Sequence, residues 1–171
     1  MASFDIAFAW LMSSEDPQYK YEDVPDAPPG ARAISGINSA QQPEGYATVA
    51  RVPQAQRAPI VKGFYQNTFW NRYFDGLTSD ELAKRVFDAA VNMGAGTAVR
   101  LLQTAIEHSS GLTDGIDGEL GPQTVFRANA CNPDMLAACF RQLRGDHYRA
   151  IAAAKPEESK YLNGWLARAE R

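Results

Sequence analysis

The sequence predicts an all-α protein with one long irregular loop near its N-terminus. Three observations carry that prediction. Apolar residues recur at helical spacing through most of the chain, and helix start and stop signals flank those runs. Between Asp16 and about Gln54, by contrast, six of the ten prolines and three glycines fall in a stretch without clear periodicity. A loop of that length inside a compact domain is usually functional rather than a mere connection.

The elements follow in order. A first helix runs from about Ser3 to Glu15, with Phe4, Phe8 and Leu11 spaced by four and three, and Pro17 closes it. A short strand pair is expected around Ala33–Ile37 and Ala47–Val52. Pro59 to Tyr73 reads as a helix, with Pro59 tolerated in its first turn. Thr78 to Glu81, TSDE, has the capping-box pattern and opens the helix DELAKRVFDAAVNMG, which Gly94 ends. Leu82, Val86, Ala89 and Met93 form one stripe, widened by Phe87, Ala90 and Val91, which places this helix at the centre of the fold. Further helices are expected at Gly96–Glu107, Gln123–Ala130, Pro133–Ala153 and from Pro156 onward, where Tyr161, Leu162 and Trp165 face inward. LTDGIDGELGPQT reads as two tight turns before a helix. It lacks the acid that a calcium loop needs at its twelfth position.

Composition narrows the function classes. The chain has 171 residues, 45% apolar and 22% charged, with a formal charge of −3 and no Lys/Arg run, which argues against a nucleic-acid partner. No apolar stretch approaches ~18 residues, so no membrane insertion is expected. MASFDIAFAWLMSSED has no basic region before its apolar run and carries Asp5 early. The expectation is synthesis in the cytoplasm without a signal peptide. Cys131 and Cys139 are too few for a disulfide framework and read as two free buried thiols, unless the chain turns back to pair them. His108 and His147 lack a partner at metal-ligand spacing, and no metal or cofactor is expected.

Glu15 is the residue that raises a question of chemistry. Positions 4, 8, 11 and 15 share one helical face, so this carboxylate continues an apolar stripe. Partial desolvation and the negative end of the helix dipole both favour its protonated form. A protonated carboxylic acid is what a general acid donating to a glycosidic oxygen requires. On spacing alone, a side chain that frays outward at a helix end and does nothing is the favoured reading.

The order of motifs adds to this. Glu15 ends the first helix, and a Pro/Gly-rich loop reaches Ser35-Gly36-Ile37. Tyr65, Phe69-Trp70, FDAAVNMG at 87–94, LLQ at 101–103, DGELGPQT at 117–124 and GWLAR at 164–168 follow. This ordered set resembles glycoside hydrolase family 108, the bacterial and phage N-acetylmuramidases with a C-terminal peptidoglycan-binding-like region. The resemblance implies a lysozyme-like helical fold, with a catalytic region at 1–110 and a helical peptidoglycan-binding-like region at 111–171, packed as one globular unit. It implies hydrolysis of the β-1,4 bond between N-acetylmuramic acid and N-acetylglucosamine, with Glu15 as general acid. Asp26 is the first choice for a second carboxylate, then Asp23 and Glu22. Tyr19, Tyr21, Tyr65 and Asn92 are candidate substrate-binding residues. For Asn92, and for Asp88 one turn earlier, the alternative is a hydrogen bond to the loop above within the scaffold. Trp70 fits a core anchor. The expected partner is the glycan strand of peptidoglycan, met by a monomer in the periplasm or cell wall.

The chain departs from the family pattern at the active-site end. The family's Glu-Gly-Gly-Tyr becomes Glu15 followed by Asp16-Pro17-Gln18, with Tyr19 or Tyr21 in the aromatic place. Pro29-Gly30 and Gly36-Ile37 of the next motif are retained. Ala33 stands where a Thr is expected, and Pro28 takes the Asp place unless Asp26 shifts in. Retention of Glu15 favours an active enzyme. Loss of the glycines favours a module that binds peptidoglycan or a partner without cutting.

Overall fold

A computed structural model of the chain describes residues 1–111 and 115–171. Helix α1, Phe4–Glu15, buries Phe4, Phe8 and Leu11 together with Ala7 and Met12. The Asp16 amide still donates to the Met12 carbonyl at 2.9 Å, and Pro17, with no N–H, cannot continue the ladder. Strands β1 (Asp23–Asp26), β2 (Ala31–Ile34) and β3 (Ile37–Asn38) form an antiparallel sheet in the order β1-β2-β3. Ile34 lies opposite Ile37, and both are fully buried.

The predicted strand at Ala47–Val52 is a helix instead. Pro43 sits at the start of α2, Pro43–Ala50, and Glu44 in its first turn complements the helix dipole. Val49 is the one fully buried residue of this short helix. Helix α3, Arg57–Phe69, then places Val61 and Tyr65 in the core. Trp70 follows it, 8% exposed, with its ring edge against Phe4 at 5.5 Å. These elements make one compact unit, Phe4–Asn71.

The second unit comprises Met1–Ser3 and Arg72–Arg171. It contains α4 (Asp80–Met93), α5 (Ala95–Ser110), α6 (Pro122–Ala130), α7 (Pro133–Ala154) and α8 (Leu162–Glu170). Its contact boundary falls upstream of residue 110 because α4 and α5 pack on each other and both pack on α7. Helix α4 buries Leu82, Ala83, Val86, Phe87, Ala89 and Ala90, as its apolar circumference requires. Its cap is shifted by one from the expected one. Ser79, not Thr78, accepts the Leu82 amide, while Thr78 bonds the Asn129 side chain. Glu81 pairs forward with Lys84 and Arg85 rather than reaching back. Tyr161 is 42% exposed rather than turned inward. Cys131 and Cys139 are unpaired and half-buried, and burial pushes both thiols above their ordinary range.

Leu112, Thr113 and Asp114, which open the predicted double turn, lie outside the described residues. The second turn is held by Gln103 of α5. Its amide donates to Asp117 Oδ1 at 2.7 Å, and its oxygen accepts the Gly118 amide at 2.9 Å. Asp117 Oδ1 also takes the Glu119 amide, so LLQ and DGELGPQT are two halves of one clasp.

Asp88 is 1% exposed, and it bonds neighbouring helices rather than a loop. Arg168 of α8 meets both carboxylate oxygens through Nε and Nη2, at 2.8 to 3.1 Å. Arg144 Nη2 of α7 lies 2.8 Å from Oδ2 as an ion pair, without the alignment of a hydrogen bond. Arg144 Nε donates to the Tyr148 hydroxyl, which donates to Asn92 Oδ1 and whose ring stacks on Trp165. Burial opposes the charge on Asp88, but the two guanidiniums prevail and hold its carboxyl below the usual range. Removing one partner of such a buried set costs about 3–5 kcal/mol, because the remaining charges stay buried. Asp88→Ala should therefore lower unfolding free energy by about that amount in a denaturant titration. A carboxylate whose folded pKa is depressed adds stability above its unfolded pKa and loses it as pH falls through the folded value. The native protein should accordingly lose stability steeply below about pH 4, and Asp88→Asn should flatten that acid limb.

Candidate functional site

The candidate site lies within the first unit, where α1 ends and the β2–β3 turn begins. Ser35 and Gly36 form that two-residue turn with φ of 47° and 83°. Positive φ at both central positions matches the twist of a tight hairpin. At Gly36 the backbone also comes against the end of α1. A Cβ there would lie 2.5 Å from Glu15 Oε2 and 2.8 Å from the Tyr65 hydroxyl. Only a glycine lets the half-buried Glu15 carboxylate rest on this turn. Tyr65 donates to the Ser35 carbonyl at 2.8 Å, which fixes the turn from the α3 side.

Asp16, beside Glu15, organises the loop that follows. Its Oδ1 accepts the Lys20 amide at 2.9 Å, and its Oδ2 accepts the Tyr21 amide at 2.7 Å and the Ser35 hydroxyl at 2.8 Å. Burial works against this carboxylate's charge, but the Tyr21 and Lys20 amides and the Ser35 hydroxyl outweigh it and keep its pKa low. Tyr19 and Tyr21 adopt φ of 52° and 54°, conformations that side-chain-bearing residues avoid. The segment is pinned further by Gln54 on the Lys20 carbonyl and Arg57 on the Tyr21 carbonyl, each at 2.7 Å. Strain that is held this firmly concentrates at functional sites. The result is two aromatic rings, edge to face at 6.3 Å, presented just after Glu15.

The other predicted residues divide. Tyr19 is 44% exposed and Tyr21 half-buried, so both offer ring surface. Burial, followed by the Asp16 charge, raises the Tyr21 phenol above its ordinary value, so it remains a hydroxyl donor. Tyr65 is 1% exposed and offers no face to a sugar, so its part is to hold the Ser35 turn. Asn92 belongs to the second unit, where it accepts from Tyr148. Asp26 is exposed at the end of β1. Its Oδ1 takes the Ala27 amide and its Oδ2 takes Asn38 Nδ2. Asp23 is held by Arg32 and the Tyr46 hydroxyl.

Two organising residues escape a reading of the sequence. Asp16 reads there only as the first residue of the irregular stretch, before Pro17. Asn38, 3% exposed, bonds Asp26, the Ala27 carbonyl and the Ala40 and Gln41 amides, yet it shows in the sequence only as a polar residue after Gly36-Ile37. Among the described residues no group of three or more His, Cys, Asp or Glu is gathered as for a metal ion, and no helix is long and apolar enough to cross a membrane.

Comparison with known proteins places the second unit more closely than the first. Residues 97–170 match the family described as Predicted Peptidoglycan domain. That stretch holds the Gln103 clasp, Arg144, Tyr148, Trp165 and Arg168, while Asp88 lies outside it. The fold as a whole is similar to the structure of Brucella abortus SagA, with a TM-score of 0.71 and 20% identity, over 98% of this chain and 90% of that one. No curated protein matches the sequence.

Substitution of Gly36 tests the geometry. Gly36→Ala should cost about 1–2 kcal/mol from the left-handed backbone alone. Displacement of Glu15 should add to that, and both effects are read by denaturant unfolding and by the amide shifts of Glu15 and Ser35.

Proposed function

We propose that the chain is a peptidoglycan hydrolase of the N-acetylmuramidase type, related to glycoside hydrolase family 108. The observation that carries this reading is the Glu15 carboxylate at the end of α1, seated on Gly36 beside the Tyr65 hydroxyl. The match of residues 97–170 to a predicted peptidoglycan domain supports peptidoglycan as the partner.

In this reading Glu15 donates a proton to the glycosidic oxygen between N-acetylmuramic acid and N-acetylglucosamine. Tyr19 and Tyr21 pack on the sugar rings, whose CH faces suit aromatic surfaces. Asp26, exposed and with lone pairs left beyond its two hydrogen bonds, is the candidate for the second carboxylate, which activates water or stabilises the oxocarbenium-like state. The protein acts in the periplasm or cell wall.

A second reading has a specific observation behind it. Asp16-Pro17-Gln18 replaces the family's two glycines, and the Asp16 carboxylate locks the loop that follows. A loop held this rigidly suits a module that grips glycan strands without cutting them.

New reducing ends from purified peptidoglycan separate the two. Glu15→Gln should lower their release by about 10²–10⁴-fold, the usual contribution of a general acid, with Asp26→Asn also strongly impaired. If the native protein pellets with sacculi but releases no reducing ends, the hydrolase reading fails and the binding module stands.

A further inference from the structure

The first unit carries a groove that the Glu15 site does not use. It lies between α2 and α3, with a volume of about 740 Å³. Residues 60, 63, 64, 67 and 68 form one face of α3 toward it, whereas Val61 and Tyr65 turn to the core. Ile60 and Phe64 supply apolar surface, with the Phe64 ring packed against Gly45 of α2. Thr48, Asn67 and Thr68 add hydroxyls and an amide. Glu44 is the one charged residue of the lining, and neither Lys nor Arg contributes.

This lining defines its occupant by charge and by shape. With a carboxylate and no cation in its lining, the groove disfavours anions, including the lactyl carboxylate of a muramic acid. An aromatic ring flanked by amide and hydroxyl groups suits a pyranose whose CH face is apolar and whose edges are polar. The size falls within the range of small-molecule pockets. Aliphatic Ile60 and the Asn67 amide, both in the lining, also match an acetamido group, with its methyl and its amide.

We propose that the α2–α3 groove is a second carbohydrate site, for uncharged N-acetylhexosamine units, separate from the Glu15 turn. The proposal rests on the peptidoglycan reading for its source of such sugars. By holding a neutral unit of a strand, the groove tethers the first unit to its substrate without taking part in bond cleavage.

Gly63 provides the test. A Cβ there meets nothing within 4 Å, so the backbone accepts a side chain that grows into the groove. Gly63→Leu also replaces a poor helix former with a good one, so the variant is expected to fold. The full-length Glu15→Gln protein, which cannot consume the ligand, is titrated with the neutral tetramer of N-acetylglucosamine and followed by amide chemical shifts. Shifts are expected at Gly45, Thr48, Gly63 and Asn67. Adding Gly63→Leu, or Asn67→Ala as an independent variant, should weaken that binding about ten-fold or more, roughly 1.4 kcal/mol. Shifts confined to Glu15, Tyr19, Ser35 and Gly36 would overturn the groove site and leave the Glu15 reading intact. Sugar shifts at the groove in a native protein that releases no reducing ends would retain the groove and remove the hydrolase. Shifts at the groove amides on raising protein concentration alone would identify a second copy as the occupant and also overturn it.

Discussion

The Asp16 carboxylate is the constraint on which the candidate site rests. It gathers two amides from the loop after α1 and a hydroxyl from the β2–β3 turn, the last from Ser35, nineteen residues away. Tyr19, Tyr21 and Ser35 take backbone conformations that each cost on the order of 1–3 kcal/mol and persist only where surrounding bonds over-determine them. Hydrogen bonds to a charged acceptor contribute about 1.5–3 kcal/mol each, so this carboxylate offsets much of that strain. Held in this way, the Ser35-Gly36 turn meets the end of α1 closely enough for Glu15 to lie on bare backbone.

The same economy of means operates in the second unit. Gln103, a single amide, satisfies a turn on one side of α5, and Asp88, a single carboxylate, joins α4 to both α7 and α8. A buried ion set of this kind is a weak source of net stability compared with apolar packing, but it is unforgiving of the loss of one member. It fixes the register of three helices. Tyr148 extends the set to Asn92 and Trp165, so polar satisfaction and ring stacking agree on one arrangement.

Much of this was legible in the sequence. Helix α1, its closure at Pro17 and the place of Glu15 on the apolar stripe all follow from local periodicity. So do the extents of α4 through α7, to within a few residues. What the sequence hid was decided by partners distant in the chain. Ser79 rather than Thr78 caps α4, because Thr78 is engaged by Asn129, fifty-one residues away. Ala47–Val52 reads as a strand until Pro43 is recognised as a helix start. Tyr65 looks like a cleft residue, but its hydroxyl is committed to Ser35. Asp16 and Asn38 act on loop backbone as well as on the side chains of Ser35 and Asp26, and such contacts leave no trace in residue pattern.

The stretch that resembles predicted peptidoglycan domains begins at residue 97, but its buried ion set is completed from outside. Arg144 and Arg168 carry their charges into the interior, and the carboxylate that balances them sits on the preceding helix. Cut at the edge of the resemblance, the piece would keep both guanidiniums and lose the Asp88 carboxylate that they share. The segment therefore draws one buried partner from the helix before it. Whatever transplants it to another protein, by recombination or by design, must carry α4 along.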